Sequence, residues 1–129
     1  MLFRSTGNSC RSIIAEAILK SENIDAFSSG VKASGKVNPN AKKILQEKGI
    51  WSDEFHSKTL DKVIDIKFDL VITVCDNAKE TCPIFPNKTK TIHIPFSDPD
   101  GKEYKEFIKT YEDIKNILLP KVKELLITT

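Results

Sequence analysis

The chain has 129 residues, with 20 Lys and Arg against 18 Asp and Glu, a net charge of +2 and three cysteines. That length suits one domain, 1–129, and charges interspersed along the chain exclude a basic nucleic-acid arm or an acidic tail. An odd thiol count in a chain this long excludes a secreted disulfide scaffold. Only Leu2 and Phe3 precede polar loop residues, short of a signal peptide's apolar core of roughly 7–15 residues, and the longest apolar run, Leu70 to Val74, is far short of the ~20 that span a bilayer, so a cytoplasmic protein with no membrane role is expected.

In chain order, Leu2 and Phe3 read as a short buried strand running into the loop "STGNSC". Ile13, Ile14, Ala17 and Ile18 then recur at helical spacing. A second strand is expected over Ile24 to Gly30. Asn38 and Pro39, an N-cap followed by a first-turn proline, open a helix through Ala41, Ile44 and Leu45 that Gly49 ends. "SKTLDKVIDI" places Leu60, Val63 and Ile64 on one face of a further short helix, and "FDLVITVC" is a β-branched run of the kind buried on both sides in a parallel sheet. "KTIHIPF", Lys90 to Phe96, predicts a fourth strand stopped by Pro95. From Lys102 one long amphipathic helix carries Phe107, Tyr111, Ile114, Leu118, Val122 and Leu125, with Pro120 able to kink it. This alternation predicts an α/β three-layer sandwich around a four-stranded parallel sheet, with the ligand site at the carboxyl ends of the strands.

The opening loop lies at that edge. In "STGNSCR", successive N–H groups of Thr6, Gly7, Asn8, Ser9 and Cys10 can curl round an anion, with Gly7 and Asn8 tolerating the dihedrals required. The following helix adds the positive end of its dipole, and Arg11 a planar fork for two oxygens of a tetrahedral oxyanion. The loop lacks the Lys-Ser/Thr ending of a nucleotide-binding loop, and its lone glycine is too few for a dinucleotide fingerprint.

"STGNSCRS" resembles the Cys-x5-Arg loop of the low-molecular-weight tyrosine phosphatase fold. The match is to its thioredoxin-coupled arsenate reductase branch, which reads Cys-Thr-Gly-Asn-Ser-Cys-Arg-Ser. This chain agrees at every position but the first, where Ser5 stands for the nucleophilic cysteine. The resemblance implies a thiolate stabilised by the loop amides, the helix dipole and the serine after the arginine, here Ser12. A hydroxyl without a general base stays protonated, so a chain with Ser5 is expected to bind the oxyanion and scarcely turn it over. The serine reads as an engineered trap or as the mark of a natural inactive relative. Cys10, inside the loop beside Arg11, reads as a structural thiol.

Cys75 begins "CDNAKETCP" where the "LVITV" strand ends, and Cys82 follows seven positions on. On a helix, two turns and ~10 Å of rise would separate these thiols, beyond disulfide reach unless the segment unwinds. The resemblance implies that it does. A thiol at position 5 forms the arsenic adduct, Cys75 attacks to release arsenite, and Cys82 attacks Cys75, leaving a disulfide for thioredoxin. It also implies that Asp98, before Pro99, is the general acid, although an Asp-Pro pair is common turn chemistry by itself.

Glu16, Asn8 and Ser28 match positions that hold a potassium ion in some of these reductases, and Lys58 falls where potassium-dependent members carry Asp, so that its ammonium could replace the ion by pairing with Glu16. His56 and His93 are not in a ligand-spaced cluster, and no metal or cofactor is expected. Trp51 and the aromatics of the last helix read as core. The expected activity is thioredoxin-coupled reduction of arsenate to arsenite by a monomer. A phosphatase of the same fold and a non-catalytic oxyanion binder are the alternatives.

Overall fold

Four short strands run side by side in one direction. β1 (Leu2–Ser5) lies between β2 (Phe27–Gly30) and β3 (Val71–Thr73), and β4 (Thr91–His93) flanks β3, so the order is β2-β1-β3-β4 with every pair parallel. The computed structural model describes residues 2–5, 11–24, 26–30, 37–55, 71–74, 91–94, 96, 99 and 102–127. The register sets Arg4 beside Ser29 on one side and Thr73 on the other, and Thr73 beside His93. Backbone pairing continues past His93, with the Ile94 N–H donating to the Thr73 carbonyl at 2.9 Å and the Phe96 N–H to the Val74 carbonyl at 3.3 Å.

α1 (Arg11–Ser21) follows β1, and its residues from Arg11 to Leu19 are all buried. A helix buried on every side must be covered on every side, and α1 packs against β1, β2, α2 and the C-terminal helix. α1 ends where Asn23, at φ 61°, turns left-handed; the Asn23 and Ile24 N–H groups donate back to the carbonyls of Lys20 and Leu19 at 3.1 and 3.0 Å. That paired closure satisfies carbonyls the helix cannot. β2 therefore starts at Phe27, three residues later than the apolar pattern from Ile24 suggests.

α2 (Pro39–Glu47) has the expected ends. The Asn38 side chain accepts the Asn40 N–H at 2.9 Å, Pro39 occupies the first turn, and Gly49, at φ 73°, makes the same left-handed closure, with Ile50 N–H reaching the Leu45 carbonyl at 3.0 Å. The C-terminal helix starts at Tyr104, not Lys102. α3 (Tyr104–Asp113) passes through a π-helical turn (Ile114–Leu118) into α4 (Leu119–Ile127). Pro120 has no N–H to donate, and its ring crowds the carbonyl four residues back. Widening the turn before it relieves both, so the helix continues through Pro120.

One apolar core joins these pieces. Ile13, Ile14 and Leu19 of α1, Ile44 and Leu45 of α2, Ile72 of β3, and Phe107, Ile114 and Leu118 of the last helix are all essentially inaccessible to water. Phe107 and Tyr111 belong to it as the sequence suggests. Trp51 packs edge-on against Phe55 at 5.5 Å between ring centroids, on the margin of the same core. The short helix expected to carry Leu60, Val63 and Ile64 on one face lies outside the described residues.

Candidate active site

In this strand order, β1 is followed in the chain by β2 on one flank, while β3 on its other flank is followed by β4. The chain thus leaves β1 and β3 in opposite directions, and the crevice beyond their carboxyl ends is where an open α/β sheet binds ligands. Ser5 is the last residue of β1, in register with Gly30. Arg11 and Ser12 open α1, both buried, at the end where backbone N–H groups lack partners within the helix. Thr6, Gly7, Asn8, Ser9, Cys10, Cys75, Cys82 and Asp98 lie outside the described residues.

Arg11 ties this edge together. Its Nη1 donates to the carbonyl of Val74 at 3.4 Å and to that of Phe96 at 3.1 Å. The Val74 carbonyl, which also accepts the Phe96 N–H, is bonded to the nitrogen of Cys75. Phe96 is two residues before Asp98. One guanidinium therefore spans the end of the β1 loop, the exit of β3 and the exit of β4. Pro99, buried, accepts the Lys102 N–H at 2.9 Å in a turn that leads into α3.

Behind the first turn of α1, Glu16 is buried. Its Oε1 accepts the Ser28 hydroxyl from β2, and its Oε2 meets the Lys20 ammonium at 2.9 Å. Of the residues that the resemblance sets round a potassium ion, Glu16 and Ser28 are brought together here. Asn8 and Lys58 lie outside the described residues, and Lys20 was not foreseen as a partner of Glu16. The four-residue spacing that places them one turn apart was the available signal. Val74 and Phe96 were missed as well, since they act through main-chain carbonyls that have no side-chain signature. Among the described residues no group of three or more His, Cys, Asp or Glu could hold a metal ion. His93 instead meets the Thr73 hydroxyl through Nδ1 across the strand pair.

The comparisons agree with this geometry. An arsenate reductase of Brevibacillus brevis is 42% identical over 115 residues, 87% of this chain and 85% of that one. The crystal structure of an arsenate reductase from Archaeoglobus fulgidus superposes with a TM-score of 0.81 at 28% identity, covering 96% of each chain. The arginine phosphatase YwlE of Geobacillus stearothermophilus superposes at 0.77 and 27%, covering 98% of this chain and 92% of that one. The model of the low molecular weight phosphotyrosine protein phosphatase family matches residues 1–125, and the chain belongs to that family.

Proposed function

We propose that the chain has the frame of a thioredoxin-coupled arsenate reductase and that Ser5 holds it at the oxyanion-bound stage, in a cytoplasmic monomer. The observation that carries the reading is the double clasp of Arg11 on the Val74 and Phe96 carbonyls. It joins an anion-binding fork to the two segments that continue into Cys75 and Asp98. Relatives about 40% identical that are arsenate reductases favour reduction over phosphate-ester hydrolysis.

In this reading, the main-chain N–H groups of residues 6–11, the helix dipole and the Arg11 guanidinium cradle arsenate. A thiol at position 5 displaces a hydroxyl from arsenic, with Asp98 giving the proton that lets it leave as water. Cys75 then attacks the position-5 sulfur. Two electrons pass to arsenic, arsenite departs, and a disulfide joins positions 5 and 75. Cys82 attacks Cys75, freeing position 5, and the dithiol of thioredoxin reduces the Cys75–Cys82 disulfide. A hydroxyl at position 5 is protonated near neutral pH and cannot enter a disulfide, so the chain with Ser5 stops after binding.

Ser5→Cys tests this. The variant should produce arsenite in a thioredoxin-dependent reaction, and adding Cys82→Ser should abolish turnover. Phosphatase activity indifferent to Cys82→Ser would assign the chain to ester hydrolysis instead, and no activity of either kind would leave an oxyanion binder.

A further inference from the structure

We propose that Phe96 is a positioning residue for the anion site, setting the direction of the Arg11 guanidinium through its own buried side chain. The inference rests on the proposed function only in taking Arg11 as the clamp of the anion. Phe96 divides three groups among three partners. The residue is 7% exposed and its side chain belongs to the apolar core. Its N–H donates to the Val74 carbonyl at 3.3 Å, and its carbonyl accepts Arg11 Nη1 at 3.1 Å.

The bond from Nη1 to the Val74 carbonyl is longer, at 3.4 Å, beyond the usual range of an N–H···O contact. Of these two holds on Nη1, the Phe96 carbonyl is therefore the firmer. That carbonyl lies past the end of β4 at His93, and residue 95 is a proline, which has no N–H for the sheet. The remaining tie of Phe96 to β3 is itself long, and burying a phenyl ring contributes more than one such hydrogen bond. A cavity of about 190 Å³, lined by Phe96 and by Glu106, Lys109 and Thr110 of α3, gives the segment room to shift once the ring is cut back. A change confined to the ring thus turns Arg11 without removing any polar atom of the clasp.

Two readouts on the full chain test this, one at the guanidinium and one at the anion. In nitrogen-15 NMR spectra, the guanidinium signal absent from Arg11→Lys belongs to Arg11. Its rotation about the Nε–Cζ bond should be roughly 5- to 10-fold faster in Phe96→Ala than in the unaltered chain, as the loss of one charge-assisted hydrogen bond allows. Calorimetric titration well below each unfolding midpoint should show inorganic phosphate bound about 5- to 20-fold more weakly by Phe96→Ala. Phe96→Leu, which refills most of the space, should stay within about threefold of the parent in both readouts. Phe107→Ala truncates a fully buried ring outside the clasp, and should melt lower yet match the parent in both. That control separates positioning from stability, since a merely structural role for Phe96 would make the two alanine variants behave alike.

If Phe96→Ala does not fold, Phe96→Val takes its place with the same expectations. The proposal is overturned by a truncated Phe96 that leaves either the rotation of Arg11 or the phosphate affinity unchanged. It is also overturned by a Phe96→Leu variant no better than the truncation, or by a Phe107→Ala variant that loses as much. A parent that binds no phosphate would instead overturn the reading of the anion site, and the rotation of Arg11 would still decide whether Phe96 directs it.

Discussion

In the proposed function Arg11 carries two tasks at once, bracing two carbonyls and clamping an anion, and the chemistry of its side chain decides whether a substitute can do both. A guanidinium is always charged and has five N–H donors fixed in a plane. Here Nη1 is committed to two carbonyls, at 3.4 and 3.1 Å, and that commitment restrains how the fork can turn. An ammonium is a point charge on a flexible stem and cannot brace and clamp together. Arg11→Lys should therefore keep the fold and the charge yet weaken binding of inorganic phosphate roughly 10- to 100-fold, the worth of one or two charge-assisted hydrogen bonds. Calorimetric titration of the unaltered chain and the variant reads this directly. A lysine variant within threefold of the parent would show that the clasp does not aim the fork. The place of Arg11 at the first turn of α1 was legible in "STGNSCRS". Its partners were not, since they stand 63 and 85 residues away and contribute only main-chain oxygens.

At the scale of elements, the same limit separates what local sequence determines from what packing determines. Both ends of α2 could be read because Asn38, Pro39 and Gly49 each act within a few residues of themselves. The left-handed stop at Asn23 is equally local, but asparagine adopts that conformation less regularly than glycine, so β2 seemed to begin too early. The junction of α2 with α3 depends on tertiary approach. There the Tyr104 hydroxyl donates to Glu47 Oε2 at 2.6 Å, and the Lys43 ammonium lies 4.2 Å from the centre of the phenol ring. Burial foremost, then the hydrogen bond to Glu47 and its negative charge, push the Tyr104 hydroxyl up to about 12 from its ordinary 10.0. The fold thus holds this proton more tightly than the unfolded chain does. The resulting stabilisation is complete below pH 10 and is lost as pH rises through about 12. Tyr104→Phe should flatten the fall in unfolding midpoint over that window. Tyr111, also raised, chiefly by burial, contributes to the residual slope. Because the chain has two tyrosines, phenolate absorbance of the variant reports Tyr111 alone, and subtraction should return a transition near 12 for Tyr104.

For the molecule as a whole, the strand order alone brings the ends of β1 and β3 to one crevice, and α1 delivers Arg11 to it from within the core. Hydrophobic spacing revealed that α1 and the last helix have apolar faces. It could not reveal that α1 is enclosed on all sides, because the polar Ser12 and Glu16 interrupt the apolar pattern, and the burial of Glu16 depends on Ser28 and Lys20 being brought to it. Site and core thus share one helix but draw on different interactions, and two substitutions should separate them. Phe107 is fully buried on α3 and contributes no atom to the clasp. Phe107→Ala removes a large side chain that the surroundings cannot replace, at a cost of about 3–5 kcal/mol. Out of a total stability of roughly 5–15 kcal/mol, this should lower the unfolding midpoint by roughly 10–20 °C. Well below that midpoint the variant should bind inorganic phosphate as the parent does, whereas Arg11→Lys should lose affinity with a far smaller thermal shift. If Phe107→Ala instead loses phosphate binding while still folded, the crevice depends on the packing beneath it, and the clasp alone does not hold its shape.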